Sequence, residues 1–372
     1  MGRCIGPPGK VVVMKRYSVI QWATGVVGSA SLRAVIDHPL LDLVGVKVYS
    51  DAKEGVDAGD LVGRAKTGVT ATRDAQALLD RDADCVIYCP MPPNLDEVDA
   101  LLRSGKHVIT PVGWIYPYKQ DPHSTEVISA ACREGGVNFH PSGCNPGGIA
   151  ERFPLTFTGW CNRIDRVSML ECGDCRAYSS PGVMMEIMCF GKTPEEAQNN
   201  PFKGFLSAGF FQSIDMVAAG LGCDVLTYQS THEYSLANRP IDTDAGVVEE
   251  GTIALSHFRH SGTTVEGLEI VQEQIWYVDD LDQKRLQTKW DIPRNSGWRI
   301  SIDGDPNLVI DVDFPPGLSV REHVAEGLST TGYHLVNAVE MVCNATNPGI
   351  KTYLDLPMIT ARMGSHALPG MR

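Results

Sequence analysis

Tyr17-Ser-Val-Ile-Gln-Trp-Ala-Thr-Gly-Val-Val-Gly28 is the stretch that decides the fold. A short apolar strand runs into a tight turn at Thr24-Gly25. A helix then opens at Val26 and runs through Leu32, Val35 and Ile36 to a stop at His38-Pro39. The phosphates of a dinucleotide need backbone N–H donors and the positive end of a helix dipole, and a strand–glycine turn–helix unit supplies both. Gly25 lets the main chain approach a pyrophosphate, and Gly28 lets the helix pack closely on its strand. The first glycine of the usual G-x-G-x-x-G is Ala23 here, so the fingerprint is incomplete. Ala23, Thr24, Gly25, Val26, Val27 and Gly28 are the cofactor candidates, against the plainer reading of an ordinary glycine-containing turn. A second apolar strand over 43–49 begins where a right-handed crossover should return, which supplies the expected context.

Outward from this unit, strands at 85–89, 107–110 and 137–139 alternate with helices at 74–79, 95–103 and 124–133. Asn94 caps the 95–103 helix, with Glu97 at its third position. Repeated βα units of this kind predict a doubly wound parallel sheet, a Rossmann domain over 14–148, with ligands outside the carboxyl ends of the strands. The loops there are 23–28, 50–53, 90–94, 111–117 and 140–148. They hold the further cofactor candidates Ser50, Lys53, Pro90, Met91, Pro111, Gly113 and Asn145.

After Gly148 the pattern changes. A connecting helix over 149–158, a strand at 167–172, a capping box at Thr193-Pro-Glu-Glu196 and a helix over 205–221 precede strands at 225–234, 252–258, 264–276 and 298–302. Asp303-Gly304 reads as a hairpin turn into 308–312. This predicts an α+β second domain over 149–320 with a mainly antiparallel sheet, for substrate and for oligomerisation. A final stretch over 321–372, helical at 324–343 and broken at Asn347-Pro-Gly349, is expected to return to the first domain. Residues 1–13 read as a loose leader, with Met14 as the functional start.

The 372 residues suffice for two cores, and 43% hydrophobic content excludes a disordered chain. With 45 acidic against 32 basic residues the net charge is −13, which repels nucleic acid and anionic membranes. No apolar run is long enough to span a bilayer. The partner expected is a small molecule, with neither nucleic acid nor membrane. The 11 cysteines are odd in number and scattered, which predicts reduced thiols and a cytoplasmic location and empties the sequon at Asn344 of meaning. Cys172-Gly-Asp-Cys175 lacks a second ligand pair and lies in strand-like sequence, so no metal site is expected.

Tyr17–Gly28, Gly105-Lys-His-Val-Ile-Thr110, Cys144-Asn-Pro-Gly147 and Tyr353-Leu-Asp-Leu-Pro357 together resemble the dihydrodipicolinate-reductase-like oxidoreductases, in the branch of 2,4-diaminopentanoate dehydrogenase and the native amine dehydrogenases. The resemblance implies a Rossmann domain joined to a sheet domain that holds substrate and builds dimers, and hydride transfer between NAD(P)H and a C=N or C=C bond. The lysine-containing His-His stretch of dihydrodipicolinate reductases is absent, and Ala177-Tyr-Ser-Ser-Pro-Gly182 stands in its place. The glutamate that the amine dehydrogenases carry after the Gly-Lys-x-Val-Val-Thr strand is absent too: Pro111-Val-Gly-Trp-Ile-Tyr116 offers no carboxylate for ammonia or an iminium.

Three functions remain open at this point: an NAD(P)H-dependent oxidoreductase reducing a small carbonyl, imine or conjugated substrate; an amine dehydrogenase with a relocated acid; and a non-catalytic NAD(P)-binding sensor or inactive paralogue. Ser50 in place of a ribose-reading acid, with Lys53 in reach, favours NADP, with NAD the alternative; Asp51 and Glu54 pull the other way. Trp114 and Tyr116 either line a substrate pocket or cover the sheet edge. The candidate proton donors are His140, at a strand end, and Tyr178, which also serves as a pocket residue; either can instead be plain packing. Glu171 replaces the missing glutamate if it points inward, and on strand alternation it can equally face solvent. A homodimer or a dimer of dimers through the sheet domain is expected.

Overall fold

The computed structural model describes residues 3–5, 11–13, 15–278 and 296–362. Contacts divide the chain into two compact units, Met1–Cys144 with Leu328–Arg372, and Asn145–Gly327. The first break falls four residues before the boundary read from the sequence.

The first unit opens with β1 (Arg3–Ile5) paired antiparallel to β2 (Val11–Val13), inside the stretch read as a loose leader. The alternating series follows: β3 (Tyr17–Trp22), α1 (Val26–Asp37), β4 (Leu41–Lys47), α2 (Ala58–Val62), β5 (Ala71–Thr72), α3 (Ala75–Leu79), β6 (Cys85–Tyr88), α4 (Leu95–Arg103), β7 (His107–Thr110), α5 (Pro117–Gln120), α6 (Pro122–Gly135) and β8 (Asn138–Pro141). The second unit holds α7 (Arg152–Thr158), β9 (Arg163–Asp174), α8 (Pro194–Gln198), α9 (Lys203–Gly220), β10 (Val225–Leu236), β11 (Ile241–Thr243), β12 (Gly246–Val248), β13 (Ile253–Thr264), β14 (Glu269–Tyr277), β15 (Ser296–Asp305) and β16 (Leu308–Val312). It also contains the start of α10 (Val320–Asn344), whose end belongs to the first unit with β17 (Gly349–Ile350).

The first unit's sheet runs β17-β8-β7-β6-β3-β4-β5, every pair parallel. The Rossmann architecture expected from the sequence is the one observed. Helices cover both faces. Tyr17, Val19, Cys85 and Ile87 pack with Leu335, Val339 and Val342 of α10, while Ile20, Trp22, Val86 and Tyr88 pack with Val98, Leu101 and Ile128 of α4 and α6. Two-sided burial is why Cys85-Val-Ile-Tyr88 is a continuous apolar run. The strand order reverses between β3 and β6, so the Ala23–Gly28 turn sits at the topological switch point, where such sheets bind ligands.

The second unit's main sheet runs β10-β13-β14-β9-β15-β16, antiparallel throughout except for β14 on β9. Ile214, Val217 and Ala218 of α9 bury one face against Val167, Val225 and Ile270. Two sequence readings change. The break expected between 258 and 264 is absent: β13 continues to Thr264, and the chain turns at 265–268, where Gly267 takes φ +90°. The Asp303-Gly304 turn is also absent. Those residues go on pairing with β9, and the chain reverses at 306–307. Gly304 is required by close approach rather than by a turn, because a Cβ there would lie 2.1 Å from the Arg163 carbonyl oxygen.

Candidate functional site

The first unit contributes a cradle of backbone donors. Ala23 takes φ +73°, the left-handed conformation for which a glycine is normally used at this position. Gly25 is the N-cap of α1 and no side chain caps that end, so the first-turn amides of Val26 and Val27 are left for an anion. A Cβ on Gly25 would meet nothing within 4 Å, whereas one on Gly28 would lie 2.3 Å from the Ala23 carbonyl oxygen. One glycine thus opens the turn to a ligand and the other seats the helix on its strand. The buried Gln21 fixes the geometry. Its Nε2 donates to the Ala23 carbonyl at 2.9 Å, and its Oε1 accepts from Ser31 Oγ at 2.7 Å. Lys53 Nζ donates to the Thr24 carbonyl at 2.8 Å and to Thr24 Oγ1 at 3.1 Å, which brings its charge to the turn. Ser50 Oγ accepts from the Ala52 amide, so both residues shape the loop as well as facing it.

The remaining first-unit candidates divide. Pro90 is buried and Met91 exposed, beyond the end of β6; Pro111 and Gly113 (φ +71°) are half-buried beyond β7. Trp114, only 8% exposed, packs edge-on against Phe139 inside the core, the sheet-covering alternative. Tyr116 is half-buried and packs edge-on against Tyr118. His140 is fully buried, with Nδ1 on the Lys351 carbonyl and its ring edge-on to Tyr353, whose hydroxyl meets Ser142 Oγ and His334. Its contacts are those of a residue that ties β8 to the C-terminal segment.

The second unit gathers a different chemistry. Glu171 lies on β9 between two neighbours in register, Trp298 of β15 and Gln274 of β14. Its Oε1 accepts from Trp276 Nε1 at 2.7 Å, and its Oε2 accepts from Trp298 Nε1 at 2.8 Å and from Asn145 Nδ2. It points inward rather than to solvent. Asn145, read from the sequence as a cofactor contact, gives its amide to this carboxylate. Phe258 packs on Trp276 and Phe314 on Trp298, so aromatic rings wall the group. Tyr178 joins the adjoining apolar cluster with Met184, Met188, Phe190 and Trp276. Burial, then the charges of Cys175 and Glu171, push its phenol up to about 12, so it stays protonated at any working pH. Cys172 and Cys175 are buried, with thiols pushed well up by desolvation, and among the described residues no group of His, Cys, Asp and Glu could hold a metal ion.

Trp276, Trp298 and Gln274 escaped the sequence reading. Each stands in a recognisable strand, but which strands lie side by side is not written locally. The nearest signal was the alternation that puts Glu171 on one face with Val167 and Met169.

An open parallel sheet with an uncapped helix start at its switch point defines a fold of the Rossmann class. Residues 149–368, more than half of the chain, match the 2,4-diaminopentanoate dehydrogenase C-terminal domain, and the chain belongs to that family. It is 27% identical over 353 residues to an amine dehydrogenase of Streptomyces virginiae, covering 92% of this chain and 96% of the relative. It is 25% identical over 341 residues to the 2,4-diaminopentanoate dehydrogenase of Acetoanaerobium sticklandii, covering 84% and 89%. The solved structure of an amine dehydrogenase from Mycobacterium smegmatis shares the fold with a TM-score of 0.77 at 19% identity, over 93% of this chain and 97% of that one. The chain is accordingly an NAD(P)-dependent oxidoreductase acting on amine or carbonyl substrates. The sensor alternative falls away.

Proposed function

We propose that this oxidoreductase interconverts a primary amine and its carbonyl compound with NADP(H), and that Glu171 is the acid that the family resemblance places on another loop. The observation that carries the proposal is the Glu171 carboxylate on three N–H donors, walled by aromatic rings. Such a carboxylate stands where it can accept hydrogen bonds from an ammonium or iminium. The nicotinamide cofactor, when bound, supplies the hydride. The chain's own residues hold and orient: Gly25, Val26, Val27 and Gly28 present amides to the pyrophosphate, and Ser50 with Lys53 reads the ribose, with a serine rather than an acid at the strand end and Asp51 and Glu54 the opposing charges nearby. Tyr178, kept protonated by burial, donates to the nitrogen or oxygen that gains charge, and the Met184–Phe190 cluster beside it suits an apolar substrate. The names of the relatives, an amine dehydrogenase and a diamine-derived dehydrogenase, point the same way.

A screen of ketones and aldehydes with and without ammonium, followed by NADPH absorbance, tests this. Ammonium-dependent oxidation of NADPH is expected. Oxidation indifferent to ammonium would leave a carbonyl reductase, and a preference for NADH would remove the role given to Ser50 and Lys53.

Assembly belongs to the same proposal. Among the described residues β10 and β16 are the edge strands of the second unit's sheet, and Leu226 and Val309 stand 67% and 64% exposed on them. We expect a homodimer or a dimer of dimers, and light scattering that returns a monomer mass would refute it. No helix among the described residues is long and apolar enough to cross a membrane, and no disulfide joins two described cysteines. A cytoplasmic location fits both, and fractionation of the source cells checks it.

A further inference from the structure

We infer that Glu171, Asn145 and Gln274 form an ammonium subsite that selects a nitrogen carrying three N–H donors: ammonium itself or a primary alkylammonium. The inference rests on the amine reading above and names the group that its site takes.

Three observations carry it. First, Glu171 has no cation. Its partners are two indoles and a carboxamide, all neutral, and no Lys or Arg pairs with it among the described residues. A half-buried carboxylate without a counter-charge is costly unless a ligand supplies one. Its two oxygens offer about four acceptor positions, three of which are filled. Second, the orientation of Asn145 follows from chemistry. Only its NH₂ can donate to a carboxylate, so its Oδ1 is a fixed acceptor beside Glu171, and that buried oxygen has no partner. Third, Gln274 pairs in register with Glu171 on the adjacent parallel strand, which puts the two side chains on the same face of strands about 5 Å apart. It is fully buried, and neither amide atom forms a well-aligned hydrogen bond. Its amide also reaches the His260 ring, favouring the protonated form against a larger, opposing effect of burial.

Buried polar atoms left without partners call for a ligand or an ordered water. A water donates two hydrogen bonds and carries no charge. An ammonium donates three or four and neutralises the carboxylate. Acceptors at Glu171 Oε1, Asn145 Oδ1 and Gln274 Oε1 match three N–H groups, while the donors of Trp276 and Trp298 are already spent on Glu171. Each methyl added to nitrogen removes one donor and leaves one buried acceptor unmet, which is how a site rejects an isostere.

The test uses the full chain and two readouts. The indole N–H resonances of Trp276 and Trp298, assigned with Trp276→Phe and Trp298→Phe, are followed while ammonium chloride is added, with tetramethylammonium chloride as a control of equal charge and no donors. Ammonium should shift those two resonances, and tetramethylammonium should not. Equal shifts with both salts, or with neither, would overturn the subsite. In parallel, Gln274→Met and Glu171→Gln are assayed for reductive amination after melting curves confirm folding. The KM for ammonium should rise about tenfold in Gln274→Met while the KM for the carbonyl stays, one lost charge-assisted bond being of that size. Ammonium-dependent turnover with an unaltered ammonium KM in both variants would overturn the subsite and the role given to Glu171, and leave the amine–carbonyl interconversion standing. Resonance shifts without ammonium-dependent turnover on any carbonyl would do the reverse.

Discussion

The dinucleotide cradle of the first unit and the carboxylate cage of the second solve opposite electrostatic problems with different materials. The cradle offers an anion the backbone amides at the start of α1, in the role proposed for it, and a short run of consecutive residues sets the geometry. The cage, as proposed, would present acceptors to a cation with side chains from β9 and β14 and from the Asn145 loop, held by indoles of β14 and β15. A site made of backbone depends on what side chains are missing. A site made of side chains depends on which ones are there. The two should therefore fail in different ways.

The largest expected effect is at Gly28. Gly28→Ala puts a Cβ against the Ala23 carbonyl, which can only be relieved by lifting α1 from β3. We expect a loss of about 3 kcal/mol in stability, at the upper end for overpacking, together with the loss of NADPH quenching of tryptophan fluorescence. An unchanged denaturation midpoint would show that the cradle tolerates side chains and would break the contrast. Next comes Tyr178→Phe, which removes one hydroxyl from the second unit. Its kcat should fall about a hundredfold with NADPH affinity unchanged. The companion His140→Ala should lower the melting temperature more than the turnover, because His140 is packed on Lys351 and Tyr353. If His140→Ala instead abolishes turnover in a folded protein, the proton donor belongs to the first unit.

A smaller effect concerns pH. Burial pushes His260 down to about 4 from 6.5, so the folded protein keeps this ring neutral where the unfolded chain protonates it. The unfolded state then binds more protons between about pH 6.5 and pH 4, and stability falls on acidification through that window, by about 3 kcal/mol in all at 1.36 kcal/mol per pH unit. Burial lowers His38 and His107 as well, and both act with the same sign. His260→Asn, compared with the parent by urea titration at pH 7 and pH 5, should show the shallower dependence; identical slopes would refute it. The smallest effect is expected at Ala23. Ala23→Gly relieves a left-handed alanine and should stabilise the protein by about 1 kcal/mol without weakening NADPH binding.

Most of the first unit was legible because its signals are local. The α4 cap at Asn94 and the limits of α4 and β7 follow from neighbours in sequence, and the observed elements coincide with the reading. Ala23 made the fingerprint incomplete, yet the backbone there adopts the conformation that the motif needs. The second unit was legible as strands and helices but not as a surface. Alternation left Glu171 facing either way, and the break read between 258 and 264 failed because polar residues such as His260 and Ser261 continue the strand inside a buried sheet.

The sequence by itself determined the class of the molecule. Hydrophobic periodicity, caps and one glycine turn each act over a few residues, and together they specify a parallel αβ unit followed by an antiparallel one. Only the tertiary structure decided the chemistry of the cage. Asn145, Glu171, Gln274, Trp276 and Trp298 are scattered over more than 150 positions, and they meet because β9 is paired with β14 on one side and β15 on the other. That pairing is chosen by the burial of whole sheet faces under α9, a sum over many residues that no short stretch records.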